Sequence, residues 1–200
     1  MRARHDPPDA AEAALGFRTT IALPDGGAAL MLAYPGLDIA VDGRAWIDPD
    51  AMREVVARLA ARRVAILISL ACRRELPHGA GALLSRLCSA QAIRLARLPI
   101  ADYAAPGRRW LAAMARFGGR LDALTASGRP VALCCQYGAG RSGAVAAFLL
   151  MRQGCPAPSA ISRVRAGFAE AIESDAQREW LEAVRAPQPG AGSPMVALRH

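Results

Sequence analysis

One segment near the middle of the chain holds residue types that could do chemistry. An apolar run at 131–133 leads into Cys134 and Cys135, and a glycine-containing loop then extends to Arg141. The pattern predicts a strand, a tight loop and a helix over 144–152, so that backbone N–H groups and a helix N-terminus converge on the loop. Such a loop is suited to binding an oxyanion, with a cysteine thiol beneath it.

Three side chains of this segment have distinct expected roles. A thiol becomes a strong nucleophile when it ionises, which a helix N-terminus and a cation favour, so we expect Cys135 to be a thiolate at neutral pH. Arg141 offers a planar set of donors that matches two phosphate oxygens. The Ser142 hydroxyl could donate a hydrogen bond to the sulfur when it leaves. The predicted phosphate-binding residues are Gln136, Tyr137, Gly138, Ala139, Gly140 and Arg141.

The alternative is an ordinary strand-to-helix turn with a structural cysteine. A Cys and an Arg at this spacing arise easily by chance in a chain with 5 Cys and 25 basic residues, so the spacing alone decides nothing. The strand before the loop, the glycines within it and the helix formers after it favour the anion site.

An acid candidate lies upstream of the loop. Displacing a side-chain oxygen from phosphorus requires a proton donor opposite the attacking thiolate. Asp102 follows a strand-like run at 92–98 and precedes a loop, where it could act as that donor. The alternative is a turn or capping aspartate ahead of a helix near Pro106.

These segments together resemble the cysteine-based protein tyrosine and dual-specificity phosphatases. The resemblance rests on the loop from Cys135 to Ser142, on Asp102 with Pro106 four residues later, and on the segment 171–177. It is greatest for the kinase-associated phosphatase group, through Arg73, Glu75, Leu76 and the segment 99–102. It covers residues 17 to 185.

The resemblance implies a metal-independent phosphatase without a cofactor. Cys135 would attack phosphorus to form a phosphocysteine, Arg141 would bind phosphate, Ser142 would assist the leaving thiolate, and Asp102 would act as acid and then as base. Gln177 matches a glutamine that positions the hydrolytic water in some members. An alternative role for Gln177 is a capping box with Ser174 at the start of the last helix.

The chain departs from the family at Cys134, where most members have histidine. A group that helps to organise the loop is therefore missing, and slower turnover is expected. Cys134 is expected to be a buried, small apolar residue under the loop. The alternative is redox protection, in which Cys72 or Cys134 captures an oxidised Cys135.

Two functions follow from this interpretation. The first is an enzyme that removes phosphate from phosphotyrosine, and also from phosphoserine or phosphothreonine, in proteins or peptides. The second is a pseudophosphatase that binds phosphate as a regulatory module. A monomer is expected in either case.

Composition narrows the partners and the setting. All 25 basic residues are arginine, which is typical of a GC-rich bacterial genome, and the formal net charge is +8. Aromatic residues make up only 5% of the chain, which argues against nucleic acid as a partner. No apolar run approaches a membrane span, and five cysteines without a signal-like N-terminus indicate a cytoplasmic protein. The histidines, His5, His78 and His200, have no metal-ligand spacing.

The pattern of elements predicts an α/β fold with a mainly parallel central sheet and helices on both faces. Residues 1–16 are expected to be a flexible segment, 17–185 the phosphatase domain and 186–200 a disordered tail. Strands are predicted at 17–23, 28–34, 64–70 and 131–134, with 17–34 forming a hairpin at the sheet edge. Helices are predicted at 49–62, 80–90 and 107–125, followed by two or three more to about 184. Asp102 and Cys135 would then meet at the carboxyl edge of the sheet.

Overall fold

The computed structural model describes residues 5–185. The tail at 186–200, for which disorder is predicted, lies outside the described residues. The helices are α1 Ala10–Ala14, α2 Pro49–Ala61, α3 Ala80–Ala90, α4 Arg108–Ala126, α5 Gly140–Arg152, α6 Ala157–Gly167 and α7 Asp175–Ala183, with a 3-10 turn at Arg73–Glu75. The strands are β1 His5–Asp6, β2 Phe17–Ala22, β3 Ala28–Ala33, β4 Leu37–Ile39, β5 Ala45–Ile47, β6 Ile66–Ser69, β7 Arg94–Arg97 and β8 Val131–Cys135.

Six of the strands form one central sheet. Their order is β1, β2, β3, β8, β6, β7, and the strands β3, β8, β6 and β7 run parallel to one another. Only β2 runs the other way, in antiparallel pairs with β1 and β3. The predicted α/β fold with a mainly parallel sheet is confirmed. The hairpin of β2 and β3 is not itself the edge, because β1 covers β2 and β3 pairs with β8.

The core lies on both faces of this sheet. Alternate residues of a strand point to opposite faces, and β8 shows the consequence. Leu133 and Cys135 belong to the apolar layer formed with α4, α5, α6 and α7, whereas Ala132 and Cys134 belong to the layer formed with α2 and α3. The two adjacent cysteines therefore face different layers.

Residues 5–16 contain regular structure, whereas the sequence predicts a flexible stretch at 1–16, of which residues 1–4 lie outside the described residues. Within residues 5–16, β1 pairs with β2, and Asp9 caps α1 by accepting a hydrogen bond from the Glu12 N–H at 2.8 Å. Glu12 is buried and forms a bidentate ion pair with Arg62 at the end of α2. Fifty residues separate these partners, so no local pattern could predict the pair.

Two further elements differ from the sequence predictions. Helix α5 begins at Gly140 and not at residue 144. Residues 140–143 include two glycines and have low helix propensity, so the sequence did not predict that they form the first turn of the helix. The sequence analysis also missed the hairpin of β4 and β5. Its turn contains Asp42, which accepts from the Arg44 N–H, and Gly43 at φ +82°, and Asp-Gly is a hairpin signal.

Candidate active site

Cys135 is the last residue of β8 and lies beneath the loop that follows. It is only 2% exposed, and the Gly138 N–H donates a hydrogen bond to its Sγ at 3.2 Å. A backbone donor directed at sulfur stabilises negative charge there. The structure therefore places the predicted nucleophile beneath the loop, in contact with the Gly138 N–H.

Gly138 gives the loop its shape. Its φ is +91°, a conformation that L side chains rarely adopt, and a Cβ at this position would lie 2.5 Å from the Ala33 nitrogen. The loop thus packs directly on the backbone at the end of β3. The Gln136 carbonyl adds to this contact by accepting from the Tyr34 N–H at 3.2 Å.

Arg141 lies in the first turn of α5 and is 1% exposed. Its Nη1 donates to a Glu75 carboxylate oxygen and, at 3.2 Å, to the Ile100 carbonyl. Its buried Nε has no partner among the described residues. Burial lowers the pKa of Arg141, but the hydrogen bond that it donates to Glu75 and the nearby charge of Cys135 outweigh this and give a net rise. The guanidinium is thus a fixed cation with a donor still free.

Asp102 reaches the same guanidinium from the segment after β7. Its Oδ1 lies 3.0 Å from Nη2 of Arg141, and its side chain is 43% exposed. The next residue, Tyr103, has a φ of +55°, and its carbonyl accepts a hydrogen bond from the Ser174 hydroxyl at 2.7 Å. The structure therefore brings the predicted acid, cation and nucleophile to one edge of the sheet.

Ser142 and Gln177 are both fully buried with unpartnered polar atoms. The Ser142 hydroxyl, and both polar atoms of the Gln177 amide, make no hydrogen bond to any described residue. Ser174 caps α7 by accepting from the Gln177 N–H at 3.2 Å, so half of the capping box forms. The Gln177 side chain takes no part in the capping box.

The sequence analysis did not predict Glu75 or Glu173 as site residues, although both lie near the loop. Glu75 belongs to a segment singled out for its resemblance, but its contact with Arg141 spans 66 residues. Glu173 packs so closely on Gly140 that a methyl group there would overlap its carboxylate. Burial, and then the charge of Asp102, raise the pKa of Glu173, while Arg141 lowers it.

The remaining cysteines near the loop are free thiols. Cys134 is fully buried, as predicted, and burial followed by the charge of Cys135 raises its pKa. The Cys72 Sγ donates to the Ile100 carbonyl at 3.4 Å, and burial and a hydrogen bond with Glu75 raise its pKa. Both thiols are therefore held in the protonated form and are poor nucleophiles.

An aromatic wall stands beside the loop. Tyr137 is 47% exposed, and the Arg18 guanidinium lies 4.2 Å from its ring centroid while donating to its carbonyl at 2.9 Å. Phe168 packs against Tyr137 with the ring centroids 6.4 Å apart, and the same guanidinium lies 5.7 Å from the Phe168 centroid. The wall offers a substrate both an aromatic face and a cation.

Residues 5–185 include no group of three or more side chains placed to hold a metal ion. None of their helices is long and apolar enough to cross a membrane.

A family model and several solved structures are similar to this chain. Residues 47–155 match the family described as "Polymorphic toxin system, DSP-PTPase phosphatase". No curated protein sequence matches the chain.

The similar structures share the fold at low sequence identity. Kinase associated phosphatase, with its catalytic-site cysteine replaced by serine, is 23% identical with a TM-score of 0.62, over 77% of this chain and 83% of that one. Tk-PTP in its active form is 23% identical with a TM-score of 0.58, over 79% and 93%. PTPMT1 in complex with PI(5)P is 19% identical with a TM-score of 0.57, over 77% and 87%.

Proposed function

Since the chain belongs to the DSP-PTPase phosphatase family of polymorphic toxin systems, within the dual-specificity phosphatase superfamily, we propose that it hydrolyses phosphotyrosine in proteins. Phosphoserine and phosphothreonine are included in the proposal. The observation that carries it is the ion pair of Asp102 with Arg141, which joins the acid segment to the loop that holds Cys135.

The first step of the proposed mechanism is attack by sulfur. The Cys135 thiolate forms a bond to phosphorus while the bond from phosphorus to the side-chain oxygen breaks, and Asp102 gives its proton to that oxygen. Arg141 and the loop N–H groups bind the phosphoryl oxygens, with the free Nε of Arg141 as one donor. A phosphate bound to Arg141 would compete with Asp102 for Nη2 and so release the carboxyl for its role as acid.

The second step is hydrolysis of the phosphocysteine. Water attacks phosphorus and gives a proton to Asp102, and the bond from sulfur to phosphorus breaks to restore the thiolate. The unpartnered Gln177 amide supports a role in holding that water, and the unpartnered Ser142 hydroxyl supports donation to the departing sulfur. No step uses a metal.

Cys134 favours the alternative function, a phosphate-binding pseudophosphatase. Its thiol faces the layer of α2 and α3, away from Cys135, and cannot supply the imidazole that most relatives have. Without that imidazole, the loop would bind phosphate, but the Cys135 thiolate would leave the phosphocysteine slowly.

Hydrolysis of p-nitrophenyl phosphate in the presence of chelator and reductant decides between the two. We expect turnover that Cys135→Ser abolishes and Cys134→Ser retains. No turnover by the unmodified chain, with vanadate still bound in competition with phosphate, would instead establish the pseudophosphatase. Turnover that survives Cys135→Ser would overturn both proposals.

The substrate and setting form part of the proposal. Of the loop side chains at 136–141, Arg141 alone carries a positive charge, and the neighbouring Arg18 is stacked on the Tyr137 ring, which suits a monophosphorylated side chain better than a polyphosphorylated ring. The aromatic wall of Tyr137 and Phe168 supports phosphotyrosine. The proposed reaction needs Cys135 in its reduced form, which a reducing compartment maintains. We therefore propose a cytoplasmic protein, and we propose that it acts as a monomer.

A further inference from the structure

A second cavity opens at the same edge of the sheet, on the opposite face from Cys135. Its volume is about 710 Å³, and its walls include Tyr34 after β3, Ser69 at the end of β6 and Arg97 at the end of β7. Tyr34 belongs to the apolar layer of α2 and α3, whereas Cys135 belongs to the other layer. Ligands of parallel α/β sheets bind at this edge, where the carboxyl ends of the strands meet.

The cavity is lined by basic side chains and no acidic ones. Arg73, His78 and Arg97 all border it, and none of them forms an ion pair with a described residue. Arg97 Nη2 is held in place by donating to the Gly81 carbonyl at 2.8 Å. Gly79 begins α3 without a side-chain cap, so the helix N-terminus adds partial positive charge to the same wall.

Tyr34 contributes a hydroxyl donor to the wall of the cavity. The residue is 2% exposed and lines the cavity, yet its hydroxyl makes no hydrogen bond to any described residue. Burial raises the pKa of Tyr34. The hydroxyl therefore keeps its proton and can donate it in a hydrogen bond to an acceptor that enters the cavity.

Two segments of the chain line the cavity and also contact Arg141. In the first, Arg73 lines the cavity while Glu75 binds Arg141. In the second, Pro99 lines the cavity while the Ile100 carbonyl accepts from Arg141. A ligand bound to Arg141 could thus extend over either segment and reach the cavity.

We propose that this cavity binds an acidic side chain that lies near the phosphorylated residue in a protein substrate. The inference rests on the proposed function and specifies its substrate class. The phosphate site and the cavity lie on opposite faces of the sheet edge. A peptide must therefore be extended to cross the edge and place side chains in both. The apolar walls Leu76, Pro77 and Pro99 can contact the aliphatic part of the incoming side chain. The acidic group is either a carboxylate or a second phosphate.

The test compares peptides that differ only in one flanking residue. A phosphotyrosine peptide with neutral flanks is the reference, and Asp is placed in turn at each of the neighbouring positions. At one position or more we expect kcat/KM to rise roughly three- to tenfold over the reference, through KM, as for one added charge-assisted contact. Phosphoserine at the same position distinguishes a second phosphate from a carboxylate, since the larger gain identifies the preferred group.

Variants locate the source of this preference. Arg97→Gln should abolish it, and Tyr34→Phe should reduce it without a change of charge. The matched control is Arg86→Gln, which removes an exposed arginine of α3 that does not line the cavity. Because the readout is a ratio of two peptides, a general loss of activity cancels. No preferred position, or a preference that survives Arg97→Gln, would overturn the inference while leaving the phosphatase proposal intact.

A binding measurement separates this inference from the proposed function. In the Cys135→Ser protein, titration with sodium sulfate should shift the amide NMR signals of Gly79 and Gly81, and Arg97→Gln should suppress those shifts. Sulfate shifts at these amides without any turnover by the unmodified chain would support the cavity and refute the enzyme. The absence of such shifts would refute the cavity whether or not phosphopeptides are hydrolysed.

Discussion

The adjacent residues Cys134 and Cys135 show how one position along a strand decides chemical behaviour. Both are buried, but they face opposite sides of the sheet, and only Cys135 receives the Gly138 N–H. Burial raises the pKa of Cys134, which keeps that thiol protonated. The period of two in a strand therefore separates a thiol that packs from one placed to react.

Asp102 is the residue whose role is most directly testable. If it donates the proton to the leaving oxygen, Asp102→Asn should lower kcat for an alkyl phosphate by roughly 10²- to 10⁴-fold. The loss should be much smaller for p-nitrophenyl phosphate, whose leaving group needs little protonation. Steady-state kinetics on both substrates checks this, with the exposed Asp38→Asn as the matched control. An equal loss on both substrates would remove Asp102 from the role of acid.

Glu173 introduces a pH dependence at the same loop. Burial and the charge of Asp102 raise its pKa, so it gains a proton at a higher pH than an ordinary glutamate as the solution is acidified. When ionised, it places a negative charge beside Gly140 and should repel a phosphate dianion. Glu173→Gln should therefore lower KM for an aryl phosphate by roughly two- to fivefold above neutral pH.

The test is to measure, as a function of pH, the KM of the unmodified chain divided by the KM of Glu173→Gln. This ratio should fall towards one at acidic pH, where Glu173 is protonated in the unmodified chain. Glu179→Gln, an exposed change on α7, is the control that should leave KM unchanged. A Glu173→Gln effect that is constant across pH would contradict the assignment.

Among the elements, the loop and the first turn of α5 form one unit. Gly138 combines a φ of +91° with backbone contacts at the end of β3, so two separate effects oppose any side chain there. We expect Gly138→Ala to lower the free energy of unfolding by about 1–3 kcal/mol and to abolish turnover. Chemical denaturation together with p-nitrophenyl phosphate hydrolysis measures both.

The matched control is Gly119→Ala in α4. Gly119 has no atom near its Cβ position and lies in a helix interior, so alanine there should raise the free energy of unfolding by about 0.5–1 kcal/mol. Turnover should be unchanged. A Gly138→Ala protein as stable and active as the Gly119→Ala protein would show that the loop does not depend on the Gly138 conformation.

Periodicity predicted the elements that pack on the sheet and missed those held by distant contacts. The ranges of β2, β3, α2 and α3 followed from apolar spacing and from caps such as Asp48 before Pro49. Helix α1 depends on Glu12 binding Arg62, which only the folded chain brings together. Glu75 and Glu173 were missed as site residues for the same reason. Cys135, Arg141 and Asp102 were recognisable because each lies at or after the carboxyl end of a strand, and the chemical roles of all the site residues stay predictions.

For the whole molecule, the arrangement places two helix N-termini at one edge of the sheet. Helix α5 begins at the loop of Cys135 on one face, and α3 begins at the basic cavity on the other. Parallel strands direct every following helix back from the same edge, so the topology itself concentrates positive potential there. The formal net charge of +8 adds a long-range field of the same sign.

This field should make association with acidic peptides depend on salt. The Debye length shortens from about 10 Å at 0.1 M to about 3 Å at 1 M ionic strength. KM for an acidic phosphopeptide should therefore rise roughly three- to tenfold over that range, with kcat nearly constant, because screening weakens encounter and not the bonds rearranged afterwards. The same phosphopeptide with neutral flanks should respond less. Arg97→Gln should preserve most of the salt dependence, because the other arginines maintain the positive potential. If the acidic and the neutral phosphopeptide responded equally to salt, the net charge would not steer binding.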